Sequence, residues 1–334
     1  MHARLRDYRP QAVALNAWTL TQSATGLGAV AAADPGEPSA ELQHVLAGAG
    51  AVGSALLLTL WACQHVSGTI SAADTDPKGV DVSNLNRCVP FHRTDLSRPK
   101  AIVSAERLSG HHGLTIEPYV GKAENLVGPR THLISAIDTP EARQALQDAY
   151  PASTVQASTS GLRLEMLRVD PKAGTACLRC FNPPRAVVPD SRVRAQIADM
   201  DEATVMAHAE AIGADAQQVR EWARTGGCGE IGDALLERLR PSDGRAAQFS
   251  VGFISVLAGV LLAGQVLKDA VRRPGNAPDL LADDVPLLGE NARFVMNLID
   301  PSTALAGVRR YGRDSECPAC QGVRADVWAK RWTG

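Results

Sequence analysis

The 334-residue sequence has few aromatic residues and almost no excess of charge of either sign. Phenylalanine, tryptophan and tyrosine make up 4% of the chain, and 34 basic residues are balanced by 36 acidic ones. Binding of nucleic acid usually needs a surplus of basic residues for the phosphates, and base stacking needs aromatic rings. We therefore expect no nucleic-acid partner. The hydrophobic share of 45% excludes a mainly disordered chain.

The sequence also lacks a convincing targeting or membrane segment. The stretch between Pro10 and Val30 is too polar for the hydrophobic part of a signal peptide. The segment from Phe249 to Leu267 is long and apolar enough to cross a bilayer, but it contains three glycines and continues directly into Lys268 and Asp269. Because the surrounding sequence has the character of a soluble α/β protein, we expect a fully buried helix here and no membrane partner.

Seven cysteines cannot all pair within one chain. Four of them form two C-x-x-C units, Cys177 with Cys180 and Cys317 with Cys320. Such pairs in a long chain are typical of a reduced, metal-binding cytoplasmic protein rather than a disulfide scaffold. Four thiolates suit tetrahedral Zn²⁺. Because the pairs lie far apart in sequence, redox pairs and unpaired thiols remain alternatives.

Short apolar strands alternate with helices through the first half of the chain, and this alternation predicts a doubly wound, Rossmann-like parallel α/β sheet. Residues 185–245 are charged, alanine-rich and helical in character, which predicts a helical insert. We expect strands near residues 44–47, 69–73, 114–119, 132–137, 154–157, 162–169 and 294–299, and helices near 51–63, 99–108, 140–150 and 249–267. The expected regions are an N-terminal arm and linker (1–40), a nucleotide-binding domain (41–184), the insert (185–245) and the C-terminal part of the nucleotide-binding domain (246–334).

The turn after the first strand carries a nucleotide-binding fingerprint. Gly48, Gly50 and Gly53 form G-x-G-x-x-G, which lets phosphates approach the free N–H groups at the start of a helix. Asp74 lies about twenty residues further on, at a strand end, where it can bind ribose hydroxyls. This pattern alone does not distinguish NAD, FAD, ATP and a methyl donor.

Polar and cationic residues follow the second strand in the order Asn84, Arg87 and Lys100. Hydride transfer takes place away from the pyrophosphate and does not need these cations. Phosphoryl or nucleotidyl transfer does need them, because negative charge builds up on the phosphate oxygens. Asp138, at the end of another strand, is placed to hold Mg²⁺ against the same phosphates. The set predicts a transferase that uses Mg-ATP.

Together these segments resemble the ThiF/MoeB/HesA group of ubiquitin-activating-type adenylyltransferases. The resemblance rests on G-A-G-A-V-G, D-T-D, S-N-L-N-R, R-P-K-A, A-I-D-T-P-E-A-R and the two C-x-x-C pairs, which occur in the family order over about residues 43–181 and 246–320. It implies a homodimeric enzyme that uses ATP and Mg²⁺ to adenylate the C-terminal glycine carboxylate of a ubiquitin-like or sulfur-carrier protein.

The resemblance also implies the site residues. The nucleotide-binding set is Gly48, Gly50, Gly53, Asp74, Asp76, Asn84, Arg87, Lys100 and Asp138, of which Arg87, Lys100 and Asp138 would be catalytic. The four paired cysteines would hold a structural Zn²⁺. Three features depart from the family pattern, and the first is two extra residues between Asp76 and Ser83. Cys88 replaces the usual Gln, and we expect a semi-buried thiol without a catalytic role. The arginine that reaches a dimer partner's ATP has no clear match, and Arg4, Arg6 and Arg9 are the candidates.

Cys228 lies between Gly227 and Gly229, ahead of the long apolar helix. Many members of the family have a thiol here that receives the activated carboxylate as a thioester or forms a persulfide linkage, and others work without one. Thiolate is a strong nucleophile near neutral pH, and flanking glycines allow movement. We expect Cys228 to take the carboxylate, and the insert to present this thiol or to dock a downstream conjugating or sulfur-transfer protein.

Three alternatives stay open at this point. An NAD(P)-dependent oxidoreductase would share the glycine fingerprint, but it leaves Arg87, Lys100 and the paired cysteines unexplained. An enzyme that adenylates a peptide or a small carboxylate would differ only in its substrate. A partner-binding protein without activity is disfavoured because Asp74 and Asp138 are also present.

Overall fold

The structure, a computed structural model, describes residues 14–15, 22–23, 40–110, 113–169, 176–182, 190–212, 215–225, 251–271, 292–298, 307–310, 314–315, 317–320 and 326. The chain divides into two compact units. The larger unit comprises residues 1–183 and 249–334, and the smaller one comprises residues 184–248.

The larger unit is built on an eight-stranded sheet. A short antiparallel pair, β1 (Ala14–Leu15) and β2 (Gln22–Ser23), is separate from it. The sheet strands are β3 (Ala40–Ala47), β4 (Val66–Asp74), β5 (Leu114–Val120), β6 (His132–Ser135), β7 (Ser153–Ser160), β8 (Arg163–Val169), β9 (Ala292–Asn297) and β10 (Gly307–Arg310). Their order across the sheet is β10-β9-β8-β7-β6-β3-β4-β5.

Five neighbouring strands of this sheet, β5, β4, β3, β6 and β7, are parallel, and β8, β9 and β10 extend it in antiparallel fashion. Ala47 at the end of β3 is in register with Ala73 in β4 and Ser135 in β6. The chain adds β4 and β5 on one side of β3 and then β6 and β7 on the other side. This reversal of strand order opens a crevice at the carboxyl ends of the strands. The predicted doubly wound, Rossmann-like α/β fold is confirmed.

The larger unit contains the helices α1 (Ala51–Ala62), α2 (Lys100–Arg107), α3 (Pro140–Asp148) and α4 (Leu178–Phe181). The smaller unit contains α5 (Asp190–Ala198), α6 (Glu202–Ile212) and α7 (Ala216–Thr225), and the larger unit resumes with α8 (Gly252–Val271). Single 3₁₀ turns lie at Val82–Asn84, Arg93–Asp95 and Ala123–Asn125.

The main core lies where α1 and α8 cover one face of the sheet. Leu42 and Leu46 alternate with residues on the other face and are fully buried with Leu56 of α1 and Phe294 of β9. Burial of each such side chain contributes about 1.5–3 kcal/mol. Gly259 permits the close approach of the two helices, because a Cβ there would lie 2.6 Å from that of Ala55.

Helix α8 corresponds to the long apolar segment of the sequence. Residues Gly252–Ala270 are long and apolar enough to cross a bilayer, but 67% of the apolar window is buried inside the protein. Such burial is what a core helix of a globular domain needs. The expected core helix is present, but it is not fully buried, because Phe253 and Val260 are exposed on its outer face.

The smaller unit has a hydrophobic cluster of its own. Ile197, Val205, Val219 and Trp222 are its largest buried members. Asp201 precedes α6, and its carboxylate accepts hydrogen bonds from the N–H and the hydroxyl of a threonine in the first turn, both at 2.8 Å. The helical insert is thus stabilised by local packing and by capping.

Candidate functional site

The glycine turn joins β3 to α1 at the carboxyl edge of the sheet. Gly48 has a φ of +92°, a region that favours glycine, and a Cβ there would lie 2.9 Å from the carbonyl oxygen of Ala136. A Cβ on Gly53 would lie 2.0 Å from the carbonyl oxygen of Gly48. Gly50 differs, because no atom lies within 4 Å of its Cβ position. Two glycines therefore serve close packing, and the third faces open space.

Gly50 is also the residue that precedes α1, and no side chain caps this helix end. The first turn of α1 contains no acidic residue. The free N–H groups and the positive end of the helix dipole are therefore available to an anion in the space over Gly50.

Asp74, the last residue of β4, holds the glycine turn in place. Its Oδ2 accepts a hydrogen bond from the Ala49 N–H at 2.9 Å, and its Oδ1 accepts one from the Asp76 N–H at 3.0 Å. A carboxylate has about four lone-pair positions, so Asp74 can still accept hydrogen bonds from the hydroxyls of a ligand.

Lys100, which begins α2, forms a salt bridge with Asp76. Its Nζ lies 2.5 Å from Asp76 Oδ2, and the residue is only 8% exposed. The hydrogen bond from Lys100 holds the pKa of the Asp76 carboxyl below its usual value. Backbone hydrogen bonds pair Val80 with Arg98 (2.9 Å), which fixes the segment just before Lys100. The ammonium group is thus placed before any phosphate binds.

The buried carboxylate of Asp95 stabilises the segment that leads to Lys100. Asp95 is 1% exposed and accepts hydrogen bonds from Nη2 of Arg107 at 2.9 and 3.0 Å and from the N–H of His92 at 2.8 Å. Burial raises the pKa of Asp95, but these hydrogen bonds outweigh it and leave the pKa below the usual value. The role of Asp95 was not predictable from the sequence, because its partner Arg107 lies on the next helix.

Asn84 shapes the turn that presents Arg87. Its Oδ1 accepts a hydrogen bond from the Asp81 N–H at 2.9 Å, and its carbonyl oxygen accepts from the N–H groups of Arg87 (3.0 Å) and Cys88 (2.8 Å). Asn84 is 6% exposed, whereas Arg87 is half-buried. The role of Asn84 within the described residues is therefore to fix local backbone.

Cys88 is the buried residue that ends the turn formed by Asn84. Its thiol is 1% exposed and is hydrogen-bonded to Ser54 in the first turn of α1. Burial raises the pKa of Cys88, while Arg87 and Lys100 lower it electrostatically. A buried thiol with a raised pKa is a poor nucleophile, in line with the expected structural role.

Asp138 is an exposed residue in the loop between β6 and α3. The loop starts against the glycine turn, because the Ala136 N–H donates to the carbonyl oxygen of Ala47 at 2.8 Å. Arg143 donates two hydrogen bonds to the Ile137 carbonyl oxygen, at 3.0 and 2.7 Å. Arg143 is the last residue of the family-like segment A-I-D-T-P-E-A-R, but no local pattern predicted its contacts.

The structure therefore places the predicted nucleotide-site residues on connected segments at one edge of the sheet. Cys228 lies outside the described residues, as do the candidate N-terminal arginines Arg4, Arg6 and Arg9.

The two C-x-x-C pairs converge in a buried cluster. The sulfur atoms of Cys177, Cys180, Cys317 and Cys320 all lie within 4.8 Å of one another. Three of their separations are 3.8, 3.6 and 3.4 Å. A tetrahedral zinc with Zn–S bonds of about 2.3 Å would place its thiolates about 3.8 Å apart. The side chains present therefore fit a closed Zn²⁺ site.

The electrostatics of the cluster also favour a cation. Four thiolates at these distances repel one another, and a divalent cation removes this repulsion. Tyr150, in the loop between α3 and β7, holds the second pair by donating a hydrogen bond to the Ala319 carbonyl oxygen at 3.2 Å.

A model of the ThiF family matches residues 37–289. Among solved structures, E. coli MccB with MccA-N7isoAsn is similar at 14% identity and a TM-score of 0.53, over 84% of this chain and 67% of that one. E. coli MccB with ATP is similar at 16% identity and a TM-score of 0.50, over 84% of this chain and 66% of that one. The chain thus spans about two thirds of the MccB length. No curated protein sequence matches.

Proposed function

The chain belongs to the ThiF family, and from this we propose that it uses ATP to adenylate the C-terminal carboxylate of a peptide or a carrier protein. The observation that carries the proposal is the uncapped start of α1 with open space over Gly50, on a turn that Asp74 and Ala136 contact from separate segments. The N–H of Asp76 is hydrogen-bonded to Asp74, and the salt bridge from Asp76 holds Lys100 at the same edge of the sheet. Adenylation needs this kind of site, since it depends on positioning and on neutralising phosphate charge.

In this proposal the triphosphate lies along the glycine turn and approaches its backbone at Gly50, while Gly48 and Gly53 allow the tight packing that shapes the turn. Asp74 accepts hydrogen bonds from the ribose while it also holds the Ala49 N–H. Asp138 would hold Mg²⁺, which supplies positive charge to the phosphates, and its exposed carboxylate at the strand edge suits a hard cation.

The chemical step is an in-line displacement. A carboxylate oxygen of the substrate forms a bond to the α-phosphorus, the bond from that phosphorus to the bridging oxygen breaks, and pyrophosphate leaves. Arg87 and Lys100 stabilise the charge on the phosphate oxygens, and Asn84 supports Arg87 through its backbone. Because Lys100 is already bound to Asp76, phosphate oxygens must share or replace that carboxylate.

The solved MccB complexes contain ATP or MccA, and we infer that the present chain likewise takes a nucleotide and a peptide or protein. Within that class we propose a ubiquitin-like or sulfur-carrier protein that ends in glycine. The first alternative, a nicotinamide oxidoreductase, would not require the buried Lys100 or the Asp138 loop beside the glycine turn.

We further propose that Cys228 receives the activated carboxylate as a thioester, which releases AMP, before transfer to a conjugating or sulfur-transfer protein. The support is chemical, because Gly227 and Gly229 flank a thiol that follows the insert helices. A reducible adduct with the carrier that still forms in Cys228→Ser would contradict this step.

A homodimer is proposed from the outer face of α8. Phe253, Val256, Leu257 and Val260 follow the spacing of one helical face, and Phe253 is 58% exposed. An exposed apolar stripe of this kind is typical of a protein interface. The clustered reduced thiols also favour a cytoplasmic location.

The decisive test is exchange of labelled pyrophosphate into ATP. We expect exchange with a carrier or peptide that has a free C-terminal carboxylate, and none with the same molecule amidated at its C-terminus, because amidation removes the attacking oxygen. Asp138→Asn should lower the rate at least about a hundredfold. The matched control is Glu141→Gln, an exposed carboxylate on the same segment, which should leave the rate unchanged. Equal exchange with the amidated substrate would exclude the proposal.

A further inference from the structure

One arginine contacts both the loop that carries Asp138 and the segment that carries Cys180. Arg143 donates from Nε and Nη2 to the Ile137 carbonyl oxygen at 3.0 and 2.7 Å. Its Nη1 donates to Oδ1 of Asn182 at 2.9 Å. Ile137 immediately precedes Asp138, and Asn182 follows Cys180 by two residues. A single guanidinium group therefore joins the nucleotide edge of the sheet to the cysteine cluster.

On the cluster side, Asn182 is held firmly. Its N–H and Nδ2 both donate to the Leu178 carbonyl oxygen, at 3.0 and 2.7 Å. Gln144 Nε2 donates to the Asn182 carbonyl oxygen at 2.8 Å, and Asn182 is only 7% exposed. Helix α4 follows Cys177 directly and contains Cys180, so the cluster fixes the helix from which Asn182 extends.

On the nucleotide side, the loop between β6 and α3 is held at two points. The Ala136 N–H donates to the end of β3 at 2.8 Å, and Arg143 holds the Ile137 carbonyl oxygen. Burial lowers the pKa of Arg143, and the charges of Glu165 and Asp138 act against this. The guanidinium is thus partly desolvated and within electrostatic range of the carboxylate it would position.

We propose that Arg143 is a positioning residue that couples the conformation of the Asp138 loop, between β6 and α3, to metal binding at the cysteine cluster. With Zn²⁺ bound, α4 holds Asn182, Asn182 holds the guanidinium, and the guanidinium holds the loop at Ile137. Loss of the metal loosens the loop and slows adenylation without removing any group that touches ATP. The inference rests on the proposed function only where it assigns a task to Asp138.

The test uses two substitutions and a matched control in the full chain loaded with zinc. Arg143→Gln removes the guanidinium group that bridges the Ile137 carbonyl oxygen and the Asn182 side chain. Arg143→Lys keeps the positive charge but can form only some of these hydrogen bonds. The control is Arg179→Gln. Arg179 also joins α4 to α3, through hydrogen bonds of 2.9 and 2.6 Å to Asp148, but it does not touch the Asp138 loop.

The first readout is hydrogen exchange of the segment 135–139 together with zinc content. We expect Arg143→Gln to retain one zinc per chain and to show faster exchange in this segment, while Arg179→Gln behaves like the wild type. Chelation of zinc should speed up exchange there in the wild type and add nothing further in Arg143→Gln. The strand β5 serves as the internal reference for general unfolding. Loss of zinc from Arg143→Gln, or unchanged exchange in the loop, would overturn the proposal.

The second readout is the kinetics of pyrophosphate exchange. Arg143→Gln should lower kcat about tenfold to a hundredfold, since small misplacements of reacting groups have effects of this size. The KM for ATP should stay within about twofold of the wild-type value, because the substitution removes no contact that binds ATP equally in the ground state and in the transition state. Arg143→Lys should recover part of the loss. A rise in KM alone would contradict the positioning role. If the wild type shows no exchange at all, the proposed function fails, and hydrogen exchange still decides this inference.

Discussion

Among single residues, the Asp76–Lys100 pair makes the stability of the protein depend on pH. The folded state lowers the pKa of Asp76, mainly through the hydrogen bond from Lys100. The pair therefore contributes its full stabilisation above the unfolded-state pKa of about 3.9 and loses it as the pH falls through the folded value. We expect Lys100→Met to be less stable than the wild type near neutral pH, with a difference that narrows below about pH 4. Urea unfolding of both proteins across this pH range measures it, and a constant difference would be the contrary result.

Two glycines of the turn should respond in opposite ways to alanine. In Gly53→Ala the new methyl group would lie 2.0 Å from the Gly48 carbonyl oxygen, so we expect a loss of at least about 1–3 kcal/mol of stability. In Gly50→Ala the methyl group meets no protein atom within 4 Å, so the protein should keep its Tm but bind ATP more weakly. Thermal melts with and without ATP distinguish the two effects. ATP binding that is unchanged in Gly50→Ala would show that the phosphates lie elsewhere.

At the scale of helices and strands, the cysteine cluster connects α4 to the chain after β10. Cys177 and Cys317 are 140 residues apart, with sulfur atoms 3.6 Å from each other. We expect Cys317→Ser to lose the metal and to unfold at a clearly lower temperature, because a structural zinc site contributes directly to folding. The half-buried Cys63→Ser is the control and should keep the metal. Metal analysis combined with calorimetry measures both, and full zinc content in Cys317→Ser would refute the assignment.

The elements themselves were predictable wherever an apolar run ended at a polar residue. β4 ends at Asp74, and α3 begins at Pro140 after a capping Thr139, whose Oγ1 accepts from the N–H of Ala142 at 3.4 Å. The sequence did not predict β10 or the continuous antiparallel extension of the sheet. A strand of four residues has too weak a pattern of its own, and its pairing with β9 depends on long-range register.

For the whole molecule, the outer face of α8 determines the expected oligomeric state. Phe253→Glu places a charge in the proposed apolar interface and should convert the dimer to a monomer. Met206→Glu is the matched control, because Met206 is also 58% exposed but lies on α6 of the insert. Light scattering after size-exclusion chromatography measures the mass of each variant. A monomeric wild type, or a dimeric Phe253→Glu, would disprove the proposed interface.

The candidate site was predictable as a set of residue types but not as a network. Gly48, Asp74 and Lys100 follow a recognisable order along the chain, and the structure brings their segments to one edge of the sheet. The contacts of Arg143 could not be predicted, because Asn182 lies 39 residues away and is oriented by α4. Side-chain networks of this kind depend on tertiary packing, which no local pattern encodes.

The 140-residue separation within the cysteine cluster also has a consequence for biosynthesis. During translation the chain acquires the glycine turn, the acidic strand ends and the first thiol pair long before Cys317 and Cys320 exist. A nascent polypeptide therefore cannot complete the four-sulfur site until Cys317 and Cys320 have both been added. Every strand that the structure describes precedes Cys317 in the sequence, so a metal ion would bind only after the ribosome has made all of them.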